Sequence, residues 1–235
     1  MKNILCVEDS EDERMLLRAG LSGYNVTFAS SLKAGLLAID RNSFSLLLLD
    51  LQLPDGSGLD LLAAARGMEK FVNIPIVMLT SNKEFAQKSA AFGLGADGYL
   101  EKPCDPREVK LRVDAMIRRF EQLHQEKEVI RIGELLLDVQ GQTLKRMSDS
   151  TFIHLTSLEF RILFALAKKP GRVFSRDSLI ETAWGGGISV EARTVDSHIA
   201  NLRRKIRKAG VVIETVVGSG YKLFSSSDTK SAESA

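Results

Sequence analysis

The 235 residues carry 32 Lys/Arg against 30 Asp/Glu, with 44% hydrophobic and 26% charged residues, the composition of an ordinary globular protein long enough for two domains. No apolar run approaches the roughly 18 residues of a membrane span, and the short run at 4–7 meets Glu8 and Asp9 at once, unlike a signal peptide, so a cytoplasmic protein with no membrane partner is expected. The net charge of +2 divides unevenly: residues 1–121 carry 15 basic against 17 acidic side chains and residues 122–235 carry 17 against 13, which makes the second half the candidate for nucleic-acid binding.

Strands and helices alternate through the first half. Residues 4–7 form an apolar strand candidate, and Ser10 with Glu13 makes a capping box for a helix running toward Gly23. Residues 26–29 give a second strand, Ser30 a cap for a helix with the stripe Leu32, Leu36, Leu37 and Ile39, and 46–49 a third strand that ends on Asp50. A turn with Pro54, Gly56 and Gly58 leads to a helix at 59–66. Residues 76–79 follow Pro75 as a fourth strand, Ser81 and Glu84 cap a helix ending near Gly93, 99–101 is a fifth strand, and Asp105, Pro106 and Glu108 open a last helix. Five strand–helix repeats predict a doubly wound five-stranded parallel sheet of order 2-1-3-4-5, whose sites gather beyond the carboxyl ends of its strands.

That edge collects chemistry. Glu8 and Asp9 follow strand 1, Asp50 ends strand 3, Thr80 follows strand 4 and Lys102 follows strand 5. Clustered acids repel one another without a cation, and Mg²⁺ suits one or two carboxylates with waters and a phosphoryl oxygen. Asp50 can act as a nucleophile toward phosphorus while Lys102 neutralises the transferred oxygens and Thr80 donates a hydrogen bond. Taken singly, each residue has an ordinary structural role as helix opener, loop hydroxyl or solvated charge; their convergence on one edge favours the joint reading. Cys6 and Cys104 have no metal-ligand spacing, and Cys6 falls in an apolar strand as a buried, inert thiol.

With the acidic pair, LLLLD, the Pro-x-Gly-x-Gly turn, LTS, Lys-Pro, and intervals of 30 and 52 residues from Asp50 to Thr80 and Lys102, residues 1–119 resemble the receiver domain of two-component response regulators. The resemblance implies that Asp50 is phosphorylated by a sensor histidine kinase and that Asp9, Asp50 and the Gln52 carbonyl bind Mg²⁺, with Glu8 acting through water. It also implies a cis Lys102–Pro103 peptide and a Tyr99 that turns inward as Thr80 engages the phosphoryl group. A homodimer face would pair Lys88 with Glu108 and Asp97 with Arg119, with Phe92 and Leu111 as apolar contacts. Gly98 stands where relatives commonly carry an acid, which leaves Arg112 without that partner.

Residues 121–128 read as a polar linker that can extend the last helix. Short strand candidates follow at 129–132, 135–138, 143–146 and 151–155, then a helix capped by Thr156 and Glu159 and stopped by Pro170 and Gly171, and a second capped by Ser175 that runs toward Trp184, a core anchor. A third helix, roughly 191–208, places Val195, Ile199, Leu202 and Ile206 on one stripe. Its other face carries Arg193, Ser197, Ala200, Asn201, Arg204, Arg207 and Lys208, suited to a major groove. Asp196 is the only acid between Arg193 and Lys208. Strand candidates at 211–217 and 221–224 flank Gly218, Ser219 and Gly220 as a wing.

LTSLEFRILFALAKKPGRVFSR, AWG, RTVDSHIANLRRKI and GSGYKL make residues 129–224 similar to the effector domain of OmpR/PhoB-type regulators, an α+β winged helix-turn-helix. The candidate DNA contacts are Arg193, Ser197, His198, Ala200, Asn201, Arg203, Arg204 and Arg207, with Thr215 and Val217 in the wing; by resemblance the loop after Trp184 is a candidate contact for RNA polymerase. The expected organisation is a receiver at 1–120, a linker at 121–128, a DNA-binding domain at 129–224 and a disordered tail at 225–235. The expected function is phosphorylation-dependent, dimeric binding of double-stranded DNA at tandem half-sites, not enzymic turnover of a substrate. Two alternatives are a phosphorylation-independent DNA-binding protein and an aspartate-nucleophile phosphatase. The second is disfavoured because Gln52, not an acid, stands two positions after Asp50.

Overall fold

The run Leu46–Asp50 is buried along its whole length because the sheet covers it on both edges and helices cover both of its faces. This is a computed structural model describing residues 1–81, 91, 93–125, 128–185 and 192–225, in two compact units, Met1–Phe120 and Glu121–Ala235. The first contains, in chain order, β1 (Asn3–Val7), α1 (Glu11–Gly20), β2 (Asn25–Ala29), α2 (Leu32–Arg41), β3 (Leu46–Asp50), the short pair β4 (Gln52–Leu53) and β5 (Gly56–Ser57), α3 (Gly58–Arg66), a 3₁₀ turn (Glu69–Phe71), β6 (Ile76–Thr80), β7 (Gly98–Glu101) and α4 (Pro106–Gln125). The helix expected after Ser81 lies outside the described residues apart from Ala91 and Gly93, as do Asn82, Lys88 and Phe92.

The main sheet is parallel, in the order β2-β1-β3-β6-β7, which is the doubly wound order expected. Side-chain alternation splits its core in two. Leu5, Val7, Leu47, Leu49 and Met78 pack with Ile39, Leu61 and Leu62, whereas Ile4, Cys6, Leu46, Leu48 and Leu79 pack with Leu17, Leu21, Val109 and Val113. Each fully buried Leu or Ile contributes about 1.5–3 kcal/mol, which fixes the register strongly, since a one-residue slip would exchange the faces. Register then sets the site: Val7 pairs with Leu49, Asp50 with Leu79, and Thr80 with Glu101, so Glu8, Asp50, Thr80 and Lys102 emerge together at one edge.

Two caps differ from expectation. Ser10 accepts from Glu13 N at 3.4 Å, but the Glu13 carboxylate accepts from Cys104 N, so the capping box is half formed. Ser31 rather than Ser30 caps α2, accepting from Ala34 N at 3.2 Å, because Asp55 in the glycine turn takes the first orphan donors, Leu32 N at 2.6 Å and Lys33 N at 3.0 Å. Those backbone donors hold the Asp55 pKa below the usual carboxylate range.

In the second unit, β8 (Val129–Ile132), β9 (Leu135–Asp138), β10 (Thr143–Arg146) and β11 (Phe152–Ile153) form an antiparallel sheet, and β12 (Val211–Val216) with β13 (Gly220–Ser225) forms a hairpin. Between them stand α5 (Ser157–Ala167), α6 (Arg176–Ala183) and α7 (Ala192–Lys205). The stretch after Phe120 continues α4 as far as Gln125. Every residue of α5 is buried, and its capping box closes in both directions, Thr156 N donating to Glu159 and Glu159 N to Thr156. Trp184, Val195, Ile199, Leu202, Ile206, Tyr221 and Leu223 share its core. Among the described residues no helix is long and apolar enough to cross a membrane.

Candidate acidic site and nucleic-acid interface

At the sheet edge, Lys102 Nζ lies 2.8 Å from Asp50 Oδ2 and 2.7 Å from Glu8 Oε2. Glu8 is fully buried and Asp50 nearly so, whereas Asp9 is exposed; oxygens of all three lie within 4.8 Å of one another. Burial, then the neighbouring Asp50, pushes the Glu8 pKa up against the opposing pull of Lys102. Burial works against the Lys102 ammonium, but hydrogen bonds to Asp50 and Glu8 outweigh it and raise its pKa. The charged lysine is thus the resident cation between two desolvated acids. The donor set of one exposed and two buried carboxylates, all oxygen ligands, fits a hard divalent ion such as Mg²⁺.

The turn after β3 brings the backbone unusually close. A Cβ on Gly58 would stand 1.8 Å from the Asp50 carbonyl oxygen, so only glycine lets α3 start directly beneath the acid. Gln52 N donates to Asp50 Oδ1 at 3.2 Å, and the Gln52 side chain is exposed. Thr80 is buried, Tyr99 half-buried, and the two line a small cavity with Leu51, Met78 and Gly98. The Lys102–Pro103 peptide is cis. Burial and the nearby Glu13 push the Cys104 thiol up to about 12, and Cys6 is also buried, so neither supplies a thiolate.

Two charged residues of the expected dimer face have partners within the chain. Asp97 is buried and bound to Arg66 Nη2 at 2.6 Å and to Ile76 N at 2.7 Å. Within the chain Glu108 accepts from Arg112 at 2.6 Å and the Tyr99 carbonyl at 2.9 Å. Leu111 is 62% exposed. Arg66, which sequence reading missed, also donates to the carbonyls of Phe71, Ile74 and Gly95 at 2.6, 2.8 and 2.9 Å. Its partners lie up to 31 residues away, and no local pattern announces them.

On α7, Arg193, Ala200 and Arg204 are exposed and Ser197 is half-buried; Arg207, expected on the same helix, is exposed just beyond its end at Lys205. His198 is a correction: it is fully buried, its ring 5.4 Å from that of Trp184. Asn201 is another, being 8% exposed with its Oδ1 accepting from Arg204 at 3.0 Å. Both lie on the flank begun by Thr194, at intervals of four and three residues, so the buried face is wider than the four-residue stripe. Arg203 turns to the wing, donating to Ile213 O at 2.9 Å and Thr215 Oγ1 at 2.7 Å. Val217, at the hairpin's turn, is 92% exposed. Asp196 accepts from Arg176 Nε at 2.7 Å and from the Tyr221 hydroxyl at 2.6 Å. Lys205, at the end of α7, is fixed to buried Glu159 of α5 at 2.6 Å.

Comparison with known proteins agrees with this geometry. Residues 4–114 match the response regulator receiver domain, and residues 149–223 match the family described as transcriptional regulatory protein, C terminal. The transcriptional regulatory protein SrrA of Staphylococcus aureus (strain NCTC 8325 / PS 47) is 32% identical over 240 residues, covering 98% of each chain. The solved structure of the Thermotoga maritima response regulator DrrB, an OmpR/PhoB homolog, is 27% identical with a TM-score of 0.50, covering 95% of this chain and 99% of that one. A mutant of RitR shares the fold at 23% identity, with a TM-score of 0.75 over 96% of this chain and 100% of that one. The acid-and-lysine sheet edge, the winged second unit and these likenesses together show that the chain belongs to the OmpR/PhoB-type two-component response regulators, which join a receiver domain to a DNA-binding, transcription-regulating domain.

Proposed function

We propose that this regulator is switched by a phosphoryl group on Asp50, taken from a sensor histidine kinase. The observation that supports it most directly is the Lys102 ammonium bridging Asp50 and Glu8 in a buried acidic cluster. In the transfer, an Asp50 carboxylate oxygen forms a bond to phosphorus as the bond from phosphorus to the donor's imidazole nitrogen breaks, and the electron pair leaves with the imidazole. Lys102 meets the negative oxygens of the transferred group, and the Thr80 hydroxyl donates to one of them. Asp9, Asp50 and the Gln52 carbonyl would hold Mg²⁺, with Glu8 acting through water. When bound, the ion neutralises phosphoryl charge.

Engagement of Thr80 draws Tyr99 inward and reshapes the face built from β7 and α4, where Leu111, Glu108 and Arg112 stand. Dimerisation there places two winged domains on half-sites about 10–10.5 bp apart. Arg193, Ser197, Ala200, Arg204 and Arg207 then meet the major groove and its phosphates, and Thr215 and Val217 approach the adjacent backbone. The loop after Trp184 is the candidate contact for RNA polymerase, and the organisation into receiver, helical linker and DNA-binding domain carries the signal between the two ends. Incubation with acetyl phosphate and Mg²⁺, followed by intact-mass spectrometry, tests the first step. One phosphoryl group per chain is expected for the wild type and none for Asp50→Asn; equal labelling of both would overturn the assignment.

A further inference from the structure

A carboxylate on a helix that reads DNA repels the phosphates it must approach, and Asp196 is the one acid between Arg193 and Lys208. The structure gives it an occupation. Arg176 Nε and the Tyr221 hydroxyl both donate to its Oδ1, at 2.7 and 2.6 Å, and Arg176 Nη2 donates to the same hydroxyl at 3.1 Å. The ring of bonds joins three elements: Arg176 opens α6, Asp196 lies on α7 and Tyr221 is in the wing strand β13. The backbone reinforces it. Phe174 and Tyr221 exchange N–H···O bonds at 2.8 and 2.9 Å, and a Cβ on Gly220 would stand 2.0 Å from Phe174 O. Arg203 braces the other strand through Ile213 and Thr215, and the guanidinium groups of Arg176 and Arg203 stand 5.0 and 5.6 Å from the centre of the Tyr221 ring.

The Arg176 and Asp196 side chains remain 32% and 44% exposed, so the pair sits at the surface where a phosphate could compete for the arginine. We propose that Asp196 is a specificity-determining residue that withholds Arg176 from the DNA backbone and fixes the wing against α7. It lowers sequence-independent affinity and preserves the geometry on which sequence-dependent affinity rests. This rests on the reading of α7 and the wing as the DNA-binding face. Sequence-independent affinity counts neutralised phosphates, each adding about 0.9 to the slope of log K against log salt, whereas discrimination depends on the relative placement of helix and wing.

The test uses the full-length chain, a duplex enriched by the wild type from a random-sequence pool, and a scrambled duplex of equal length, titrated by fluorescence anisotropy across salt concentrations. For Asp196→Asn the scrambled duplex should bind about three- to tenfold more tightly, with a slope steeper by about 0.9, and the ratio of enriched to scrambled affinity should fall by about tenfold. The double variant D196N/R176Q should return to the wild-type slope without recovering the ratio. Arg176→Gln alone should keep the wild-type slope, and Tyr221→Phe should lower the ratio at unchanged slope; these two also decide the matter if Asp196→Asn does not fold. Parallel losses on both duplexes at constant ratio for Asp196→Asn, an unchanged ratio for Tyr221→Phe, or a slope reduced by about one in Arg176→Gln alone, would overturn the proposal. Failure of the wild type to enrich any duplex would instead overturn the DNA-binding reading beneath it.

Discussion

Tyr24 shows how a single residue supports the receiver away from its acidic edge. Its hydroxyl lies 2.6 Å from Asp114 on α4, and Lys110 is 3.1 Å from the same carboxylate. Burial works against the Asp114 charge, but Tyr24 and Lys110 outweigh it and hold the pKa below the usual range. A carboxylate with a depressed folded-state pKa stabilises the fold above its unfolded-state value, near pH 3.9, and that contribution disappears as pH falls through the folded-state value. Tyr24→Phe should therefore lower stability by about 1 kcal/mol at neutral pH, solvent screening having trimmed the bond, with the difference from wild type shrinking in acid. Urea unfolding followed at neutral and acid pH checks both magnitude and sign. A difference that is independent of pH would remove the carboxylate from the explanation.

Among the elements, α3 has two jobs: Gly58 lets it begin against Asp50, and Arg66 at its end gathers the 3₁₀ turn and the approaches to β6 and β7. Arg66→Met removes the guanidinium 2.6 Å from the buried Asp97 carboxylate. Such broken pairs destabilise by about 3–5 kcal/mol, and R66M/D97N should recover part of that loss in denaturant titrations. The same helix shows where sequence reading works and where it stops. Five-residue apolar strands with alternating faces, and glycine turns at the end of β3, declare themselves locally, so the sheet order and the placement of Asp50, Thr80 and Lys102 were legible. The destination of Arg66 and Asp97 was not, because contacts between a helix end and a distant loop leave no period. The inward turn of His198 was partly legible, three residues after Val195 and one before Ile199; a stripe drawn through the apolar residues alone left it out.

Across the whole molecule, charge and chemistry are divided: a slightly acidic first half bears the acid-and-lysine edge, and a basic second half bears α7 and the wing. The proposed function requires that one phosphoryl group at Asp50 alter what the second unit does on DNA, a coupling free energy between distinct sites. Its size is measurable without knowing the natural target, as the affinity of the full-length chain for its own enriched tandem duplex before and after treatment with acetyl phosphate and Mg²⁺. The wild type should bind about tenfold more tightly after treatment, a difference of about 1.4 kcal/mol, while Asp50→Asn should bind equally before and after. Equal affinity of treated and untreated wild type, with phosphorylation of Asp50 verified by mass, would contradict the account.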